Sequence, residues 1–448
     1  MWDDLHLFRE SVSHKLDQVQ LIHTGGRVKS LKGSLIRSDL PNSFVGEIVL
    51  IETNQKKKVH LIGEVIAFEG NEALIVCLED VLGVTHGARV TSTGRSHAIC
   101  VNDTILGRIL DGFGRDIEQG LSLDSGALDL SGLGESVIKE GPSPTDRPPI
   151  SSPMKTKIAC IDVMNTFGSG QRIGIFAPPG CGKSTLMAQI ARGADVDRVV
   201  FGLVGERGRE VREFYENELD EATRTRSVVV CATSDKSALE RVRAAFTATT
   251  IAEAYRNQGL RVLLLIDSVT RLARAQREIG MAAGEPTTRD ALTPSVYQLL
   301  PRLIERSGRT QVGDITAVYT VLMEKKSISE DAVASECKSL LDAHLILSQE
   351  MANKGQYPAV DIIQSLSRVQ SNVVDEGHLA VCRTVRRIYE RYQKVELLLQ
   401  LDEYKKGSDA ETDYAIERIS PIASLFAQAR REIRTLDEDL NRLREILE

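Results

Sequence analysis

The sequence predicts an α/β fold: a parallel sheet covered by helices on both faces, preceded by a small β domain and followed by a helical region. Three observations carry this. From about residue 155 to 370, apolar runs of strand length alternate with helical stretches. Residues 24–95 hold short Val-, Ile-, Gly- and Thr-rich runs broken about every 8–12 residues by turn signals. From about residue 375, apolar residues recur at three- and four-residue spacing.

Met1–Gln20 carries Trp2, Leu5, Leu7, Phe8, Val12, Leu16 and Val19 among polar residues. That pattern fits a short amphipathic helix for a partner or membrane surface, or equally a helix packed on its own domain. Turn signals at Thr24-Gly25-Gly26, Asp39–Ser43, Thr53-Asn54-Gln55 and Glu69-Gly70-Asn71 delimit the strands of a small barrel or sandwich. Lys56–Lys58 reads as a solvated loop. Five of the thirteen prolines lie within 141–153, an irregular connection or strap.

In the core, the strand candidates are Arg172–Phe176, Val199–Val204, Ser227–Thr233, Val262–Ile266, Ile315–Leu322 and Ala343–Leu347. The helix candidates are Lys183–Gly193, Glu210–Glu218, Ser237–Asn257, Ser268–Glu278 and Pro294–Ser307. Ligands of such sheets bind beyond the carboxyl ends of the strands. Leu379–Leu401 and Ser408–Leu447 read as helical, with Leu425, Ile433, Leu436, Leu440, Leu443, Ile446 and Leu447 recurring among charges. A helical bundle is expected there, or a partner-binding helix.

A chain of 448 residues implies two or three domains. With 42% hydrophobic and 27% charged residues it has globular composition. A net charge of −7 disfavours broad nucleic-acid binding. Seven scattered Cys without a CxxC pair read as reduced thiols of a cytoplasmic protein, and eight dispersed His outline no zinc site. No run approaches the ~20 apolar residues of a membrane span, and the charged Met1–Gln20 is not a signal peptide.

The stretch Gly174–Thr185, GIFAPPGCGKST, follows a strand-forming run and precedes a helix-forming one. That is the context a phosphate-binding loop requires, as against a chance Gly-Lys-Ser in a surface turn. Loop N–H groups and the positive end of the helix would bind phosphate oxygens. Lys183 would reach the β- and γ-phosphates, and the Ser184 hydroxyl would ligate Mg²⁺. Ala177 stands where the pattern usually opens with Gly. Pro178 and Pro179 stiffen the loop, while Gly180 and Gly182 keep its turn possible.

A phosphate loop alone implies binding; hydrolysis needs more. VLLLID (262–267) is an apolar strand ending in an acid, and Asp267 would hold the Mg²⁺ shell. The plainer reading of Asp267 is a helix cap. In VGERGREVRE (204–213), Glu206 could polarise an attacking water and Arg207 could meet phosphate charge, unless both are solvated charges at a helix start.

With these pieces in order, the chain resembles the hexameric ATPases of type III secretion systems. These are relatives of the flagellar export ATPase and of rotary ATP synthase catalytic subunits. The resemblance rests on FGLVGERGREVREF (201–214), ATSDKSALERVRAAFTATTIAEAYRNQG (232–259) and LLLIDSVTRLARAQREIGMAAGEP (263–286). It continues in TPSVYQLLPRLIERSG (293–308), YPAVDI (357–362) and LSRV (366–369). It implies a RecA-like P-loop ATPase core behind an N-terminal β-barrel. The segments would be 1–23, a barrel over 24–95, a nucleotide-binding domain over 96–374 and a helical domain over 375–448.

The resemblance also implies roles. Ala177, Pro178, Pro179, Gly180, Cys181, Gly182, Lys183, Ser184 and Thr185 would form the phosphate loop. Ser184 and Asp267 would hold Mg²⁺, and Glu206 would be the general base. Arg207 and Arg271 match arginines near the phosphates, and Tyr357 matches the aromatic packed on adenine. Arg368 matches an arginine finger that enters the neighbouring subunit's site; the plainer reading is a structural salt bridge. One departure is Glu324–Asp331, EKKSISED, where two lysines replace acids and a Gly is absent.

The function implied is Mg²⁺-dependent ATP hydrolysis by a cytoplasmic homohexamer at the inner membrane, driving chaperone release, unfolding and export. A central stalk protein, a peripheral stator protein, an export gate protein and chaperone–effector complexes would be partners, and no nucleic acid. The alternatives are the flagellar export ATPase, a non-catalytic nucleotide-binding ring subunit, or a Rho-like nucleic-acid translocase.

Overall fold

Six antiparallel strands close into a barrel in the computed structural model, which describes residues 25–55, 58–119, 128–129, 134–288, 291–323 and 328–448. The expectations for Met1–Gln20 and for Glu324–Ser327 lie outside the described residues. Around the barrel the strands run Gly25–Lys32, Leu35–Ser38, Glu72–Cys77, Lys58–Glu69, Glu47–Gln55 and Arg89–Ser96, and the last pairs with the first. Closure decides between barrel and sandwich. Gly70-Asn71 do form a hairpin turn, but Gly25-Gly26 and Thr53–Gln55 lie within strands. Gly26 serves close approach, not turning: a Cβ there would sit 2.9 Å from the Leu40 backbone.

The core is a nine-stranded sheet. Its order is Val360–Ser367, Ala343–Leu347, Arg172–Ala177, Asp314–Leu322, Arg261–Asp267, Arg198–Val204, Ser227–Ala232 and Ile109–Leu110, with Gly308–Arg309 pairing off this path. All neighbours on the path are parallel except the first pair. Runs such as VVVCA and VLLLI are buried throughout, as strands covered on both faces must be. The expected strands appear within one residue of their predicted ends. Val360–Ser367 was not foreseen as a strand.

The helix Ala238–Asn257 is capped by Ser237, whose side chain accepts from the Glu240 N–H, and is almost wholly buried. Its Leu239, Val242 and Phe246 share one apolar core with Leu35, Ile62 and Leu74 of the barrel. A buried ion pair fixes that contact: Arg243 Nε donates to Glu64 Oε2 at 2.8 Å. The 141–153 segment behaves as a strap, with Arg147 Nη1 donating to the Ser307 carbonyl at 3.1 Å.

Two helical expectations need correction. Glu210–Glu218 is a helix over Gly208–Glu213 that continues as a π-helical turn over Phe214–Glu218. Ser408–Leu447 is two helices, Ala410–Phe426 and Leu436–Leu447. No Gly or Pro marks the break. Arg434 folds back to donate to the carbonyls of Leu425 and Ala427 at 2.5 and 3.1 Å, capping the first helix from beyond its end. Ile433 is consequently exposed.

Candidate nucleotide site

Arg172–Ala177 lies between Ala343–Leu347 and Asp314–Leu322, all pointing their carboxyl ends the same way. Ala177 is the last strand residue, in extended backbone and fully buried, so glycine is not needed there. The chain then turns through Gly180 and Gly182, at φ +83° and +79°, the left-handed region that favours glycine. Gly182 is also crowded: a Cβ on it would lie 3.2 Å from the Tyr357 ring. Lys183 opens the helix Lys183–Gly193, whose free N–H groups face the loop.

Asp267 ends Arg261–Asp267 and is 3% exposed. Lys183 Nζ forms an ion pair with its Oδ1, and Thr320 Oγ1 donates to the same oxygen at 2.7 Å. Asp267 does not cap the next helix. Ser268 does, accepting from the Arg271 N–H. Glu206, just beyond Arg198–Val204, meets the same lysine at 3.9 Å and Arg271 Nη1 at 2.6 Å. Arg271 also donates to the Gly205 carbonyl at 2.7 Å, which fixes its fork beside Glu206. Five side chains, from Lys183, Glu206, the Asp267–Arg271 stretch and Thr320, thus converge at the strand ends.

Ser184, Glu206, Glu210 and Asp267 line one cavity of about 170 Å³. Burial and the Asp267 charge push the Glu206 carboxyl up to about 7, and a hydrogen bond with Glu210 adds to this; Lys183 and Arg271 pull the other way. The same hydrogen bond holds Glu210 below the usual carboxylate range. A hydroxyl and a carboxylate facing one small space suit Mg²⁺, which takes one or two protein oxygens and completes its shell with phosphate and water. On the other side of the loop, Gly180, Gly182, Tyr357 and the segment Ala427–Arg430 line a cavity of about 590 Å³.

The structure does not gather Arg207 or Arg368 into this cluster. The Arg207 side chain is exposed and pairs with Glu210 at 3.2 Å. Arg368 follows Val360–Ser367, which runs antiparallel to Ala343–Leu347 with Val360 opposite Leu347 and Ser367 opposite Ala343. Tyr357 therefore lies at the phosphate-loop end of the sheet. Arg368 lies at the other end, beyond Ser367, which is separated from Val360 by the four steps of Ala343–Leu347, or about 13 Å; its N–H is bonded to the Asp342 carbonyl at 3.1 Å. Sequence reasoning missed Thr320, Glu210 and the segment Ala427–Arg430. Thr320 carried a signal, a polar residue in the apolar run AVYTVL; the segment, some 245 residues from the loop it meets, carried none.

The chain is 46% identical to the type 3 secretion system ATPase of Pseudomonas syringae pv. tomato over 443 residues, spanning 99% of this chain and 96% of that one. The chain belongs to the type 3 secretion system ATPase family. Family models agree: the ATP synthase alpha/beta family β-barrel domain matches residues 28–94, its nucleotide-binding domain matches 157–367, and the T3SS EscN ATPase C-terminal domain matches 374–445. Among solved structures, the assembled ATPase EscN of the enteropathogenic E. coli type III secretion system superposes with a TM-score of 0.87. It is 39% identical and covers 94% of this chain and 100% of its own. EscN in complex with its central stalk EscO gives 0.85 at the same identity and coverage. The flagellum-specific ATP synthase of Bacillus subtilis is 41% identical over 416 residues, 93% of each chain. As a type 3 secretion system ATPase, the chain is an enzyme that hydrolyses ATP, built on a RecA-like core with a β-barrel before it and helices after it.

Proposed function

We propose that copies of this chain form a homohexameric ring that hydrolyses Mg·ATP to power type III protein secretion, releasing substrates from chaperones and unfolding them for export. The observation that carries the ring is the position of Arg368, at the sheet end opposite its own phosphate loop. A finger placed there serves a site in an adjoining copy. The assembled form of EscN supports the same reading.

Within one site, Tyr357 packs on the adenine, while the loop Ala177–Thr185 and Lys183 hold the phosphates. Ser184 and Asp267 hold Mg²⁺, which when bound draws charge from the phosphate oxygens. Glu206 accepts the proton of the attacking water, held in place by Arg271. Arg368 of a neighbouring copy meets the charge that develops on the γ-phosphoryl group, and Arg207, exposed and paired with Glu210 at the rim of the site, can meet phosphate charge there. A central stalk protein is a fitting partner, since EscN binds EscO; a stator protein, export gate protein and chaperone–effector complexes complete the set. Residence is proposed at the cytoplasmic face of the inner membrane. Among the described residues no helix is long and apolar enough to cross a membrane.

Dilution tests the ring. Turnover per subunit rises steeply with protein concentration, in step with the assembled fraction seen by mass photometry; a rate per subunit that stays flat while rings dissociate excludes a shared site.

The pH profile tests the base. A carboxylate at about 7 must be ionised to act, so kcat/KM holds above pH 7 and falls about tenfold per unit below it. Arg271→Ala removes a cation that lowers that value, so its acid limb moves to higher pH. An acid limb that persists unchanged in Glu206→Gln would remove Glu206 from the role.

Tyr357→Ala loses a stacked base worth about 1–3 kcal/mol. KM for ATP then rises about 5- to 150-fold with kcat little changed, read by steady-state kinetics.

The similarity to the Bacillus subtilis flagellar enzyme supports a second reading, export for a flagellum. Deletion of the gene separates them: loss of effector secretion with intact motility supports the first, the reverse supports the second.

A further inference from the structure

The cavity holding Glu206 and the cavity holding Tyr357 share a wall, and one ion pair spans it. Glu218, the last residue of the π-helical turn Phe214–Glu218, lines the smaller cavity. Arg430, in the loop between the last two helices, lines the larger. The Arg430 fork grips the Glu218 carboxylate through two nitrogens, with Nε to Oε2 at 2.8 Å. Arg192, on the phosphate-loop helix, stands between them: one guanidinium nitrogen donates to the Glu218 carbonyl and the other to the Arg430 carbonyl. Three parts of the chain thus meet at one knot: the phosphate-loop helix, the segment that begins at Glu206, and the C-terminal helical region.

The knot has a mechanical route to Glu206. Phe214, in the same π turn as Glu218, packs edge-on against Phe201 with ring centroids 5.2 Å apart. Phe201 belongs to Arg198–Val204, the strand that delivers Glu206. A π turn closes its hydrogen bonds from i to i+5 where an α turn closes them from i to i+4, so a relaxation to α register would rotate Glu218 relative to Arg430. On the other side, Gln428 ties the same loop to the core. Its N–H donates to the Tyr357 carbonyl at 2.9 Å, its Nε2 donates to the Lys157 carbonyl at 2.9 Å, and its Oε1 accepts from the Ala159 N–H at 3.0 Å.

We propose that Glu218 is a positioning residue for ATP hydrolysis. Clasped by Arg430, it locks the Glu206–Glu218 segment in its working register, so the C-terminal helices govern the rate of the chemical step. The pair sits at a partly exposed surface, with side chains 52% and 13% exposed, where ion pairs add little to stability. Its effect is on geometry, and a small misplacement of a base is enough to slow an enzyme. The inference rests on the reading of Glu206 as the base.

A double-mutant cycle on assembled rings tests it, with Glu218→Gln, Arg430→Ala and the pair. Each single change lowers kcat about 10- to 100-fold, Glu218→Gln leaves KM for ATP unaltered, and the double variant is no slower than the worse single one. Arg430→Lys, which keeps the charge and loses the second donor, falls between Arg430→Ala and the parent. It completes the series should the alanine variant fail to assemble. Additive losses, a change confined to KM, or a parental kcat in folded Glu218→Gln rings would overturn the clasp. Glu206→Gln runs alongside: an active Glu206→Gln removes the base reading itself, whereas an inactive one beside a parental Glu218→Gln removes only the clasp.

Discussion

Replacing Arg368 by alanine lowers ATP turnover of assembled rings by roughly 10³–10⁵-fold, the span seen when an arginine finger is lost. Arg368 is exposed and lies at the sheet end away from its own loop, so ATP affinity and fold stability stay near parental values. The deciding measurement is a mixture. Lys183→Ala rings lack the phosphate lysine but keep the finger; Arg368→Ala rings keep the lysine but lack the finger. Two inactive preparations dissociated and reassembled together form some interfaces with both groups intact, and turnover returns. A mixture as silent as its components would show that lysine and arginine must come from one copy.

Glu206→Gln has the second largest effect, a fall of about 10²–10⁴ in kcat. Glutamine keeps the volume and can still hydrogen-bond Glu210 and Arg271, but it cannot accept the proton of water. Nucleotide binding persists, read by fluorescence of an ATP analogue. The acid limb near pH 7 disappears from whatever rate remains. The sign for stability is set by the raised carboxyl: the folded state holds that proton more tightly than the unfolded chain, so stability is lost as pH rises through about 7. Glutamine removes this loss, and the variant melts at or above the parental temperature at pH 8. Turnover close to parental would assign the proton transfer elsewhere.

The parts of the site that the sequence announced are those carried by local pattern. The phosphate loop sits between a strand and a helix, and VLLLID ends in its acid, because both are short-range consequences of a buried parallel sheet. Asp267 was ambiguous in sequence, since an acid before a helix is an ordinary cap; the Ser268 hydroxyl takes that task and leaves the carboxylate for Lys183 and Thr320. Val360–Ser367 escaped notice because only one of its faces is buried, and its polar Gln364 and Ser365 interrupt the apolar run. The break at 427–435 escaped because its cause is Arg434 reaching back, a contact with no composition of its own. Gly25-Gly26 misled in the opposite direction: glycine there makes room for Leu40, not for a reversal. The wall that Ala427–Arg430 gives to the Tyr357 cavity is a tertiary fact, set by where the last helices dock.

The barrel's closure bears on how copies can meet. A sheet that returns to its own first strand presents no row of unpaired amides and carbonyls, so adjoining barrels cannot zip together main chain to main chain. Any collar they form rests on contacts other than strand pairing, and edge-to-edge stacking into a fibre through that domain is closed off by the barrel's own hydrogen-bond ladder.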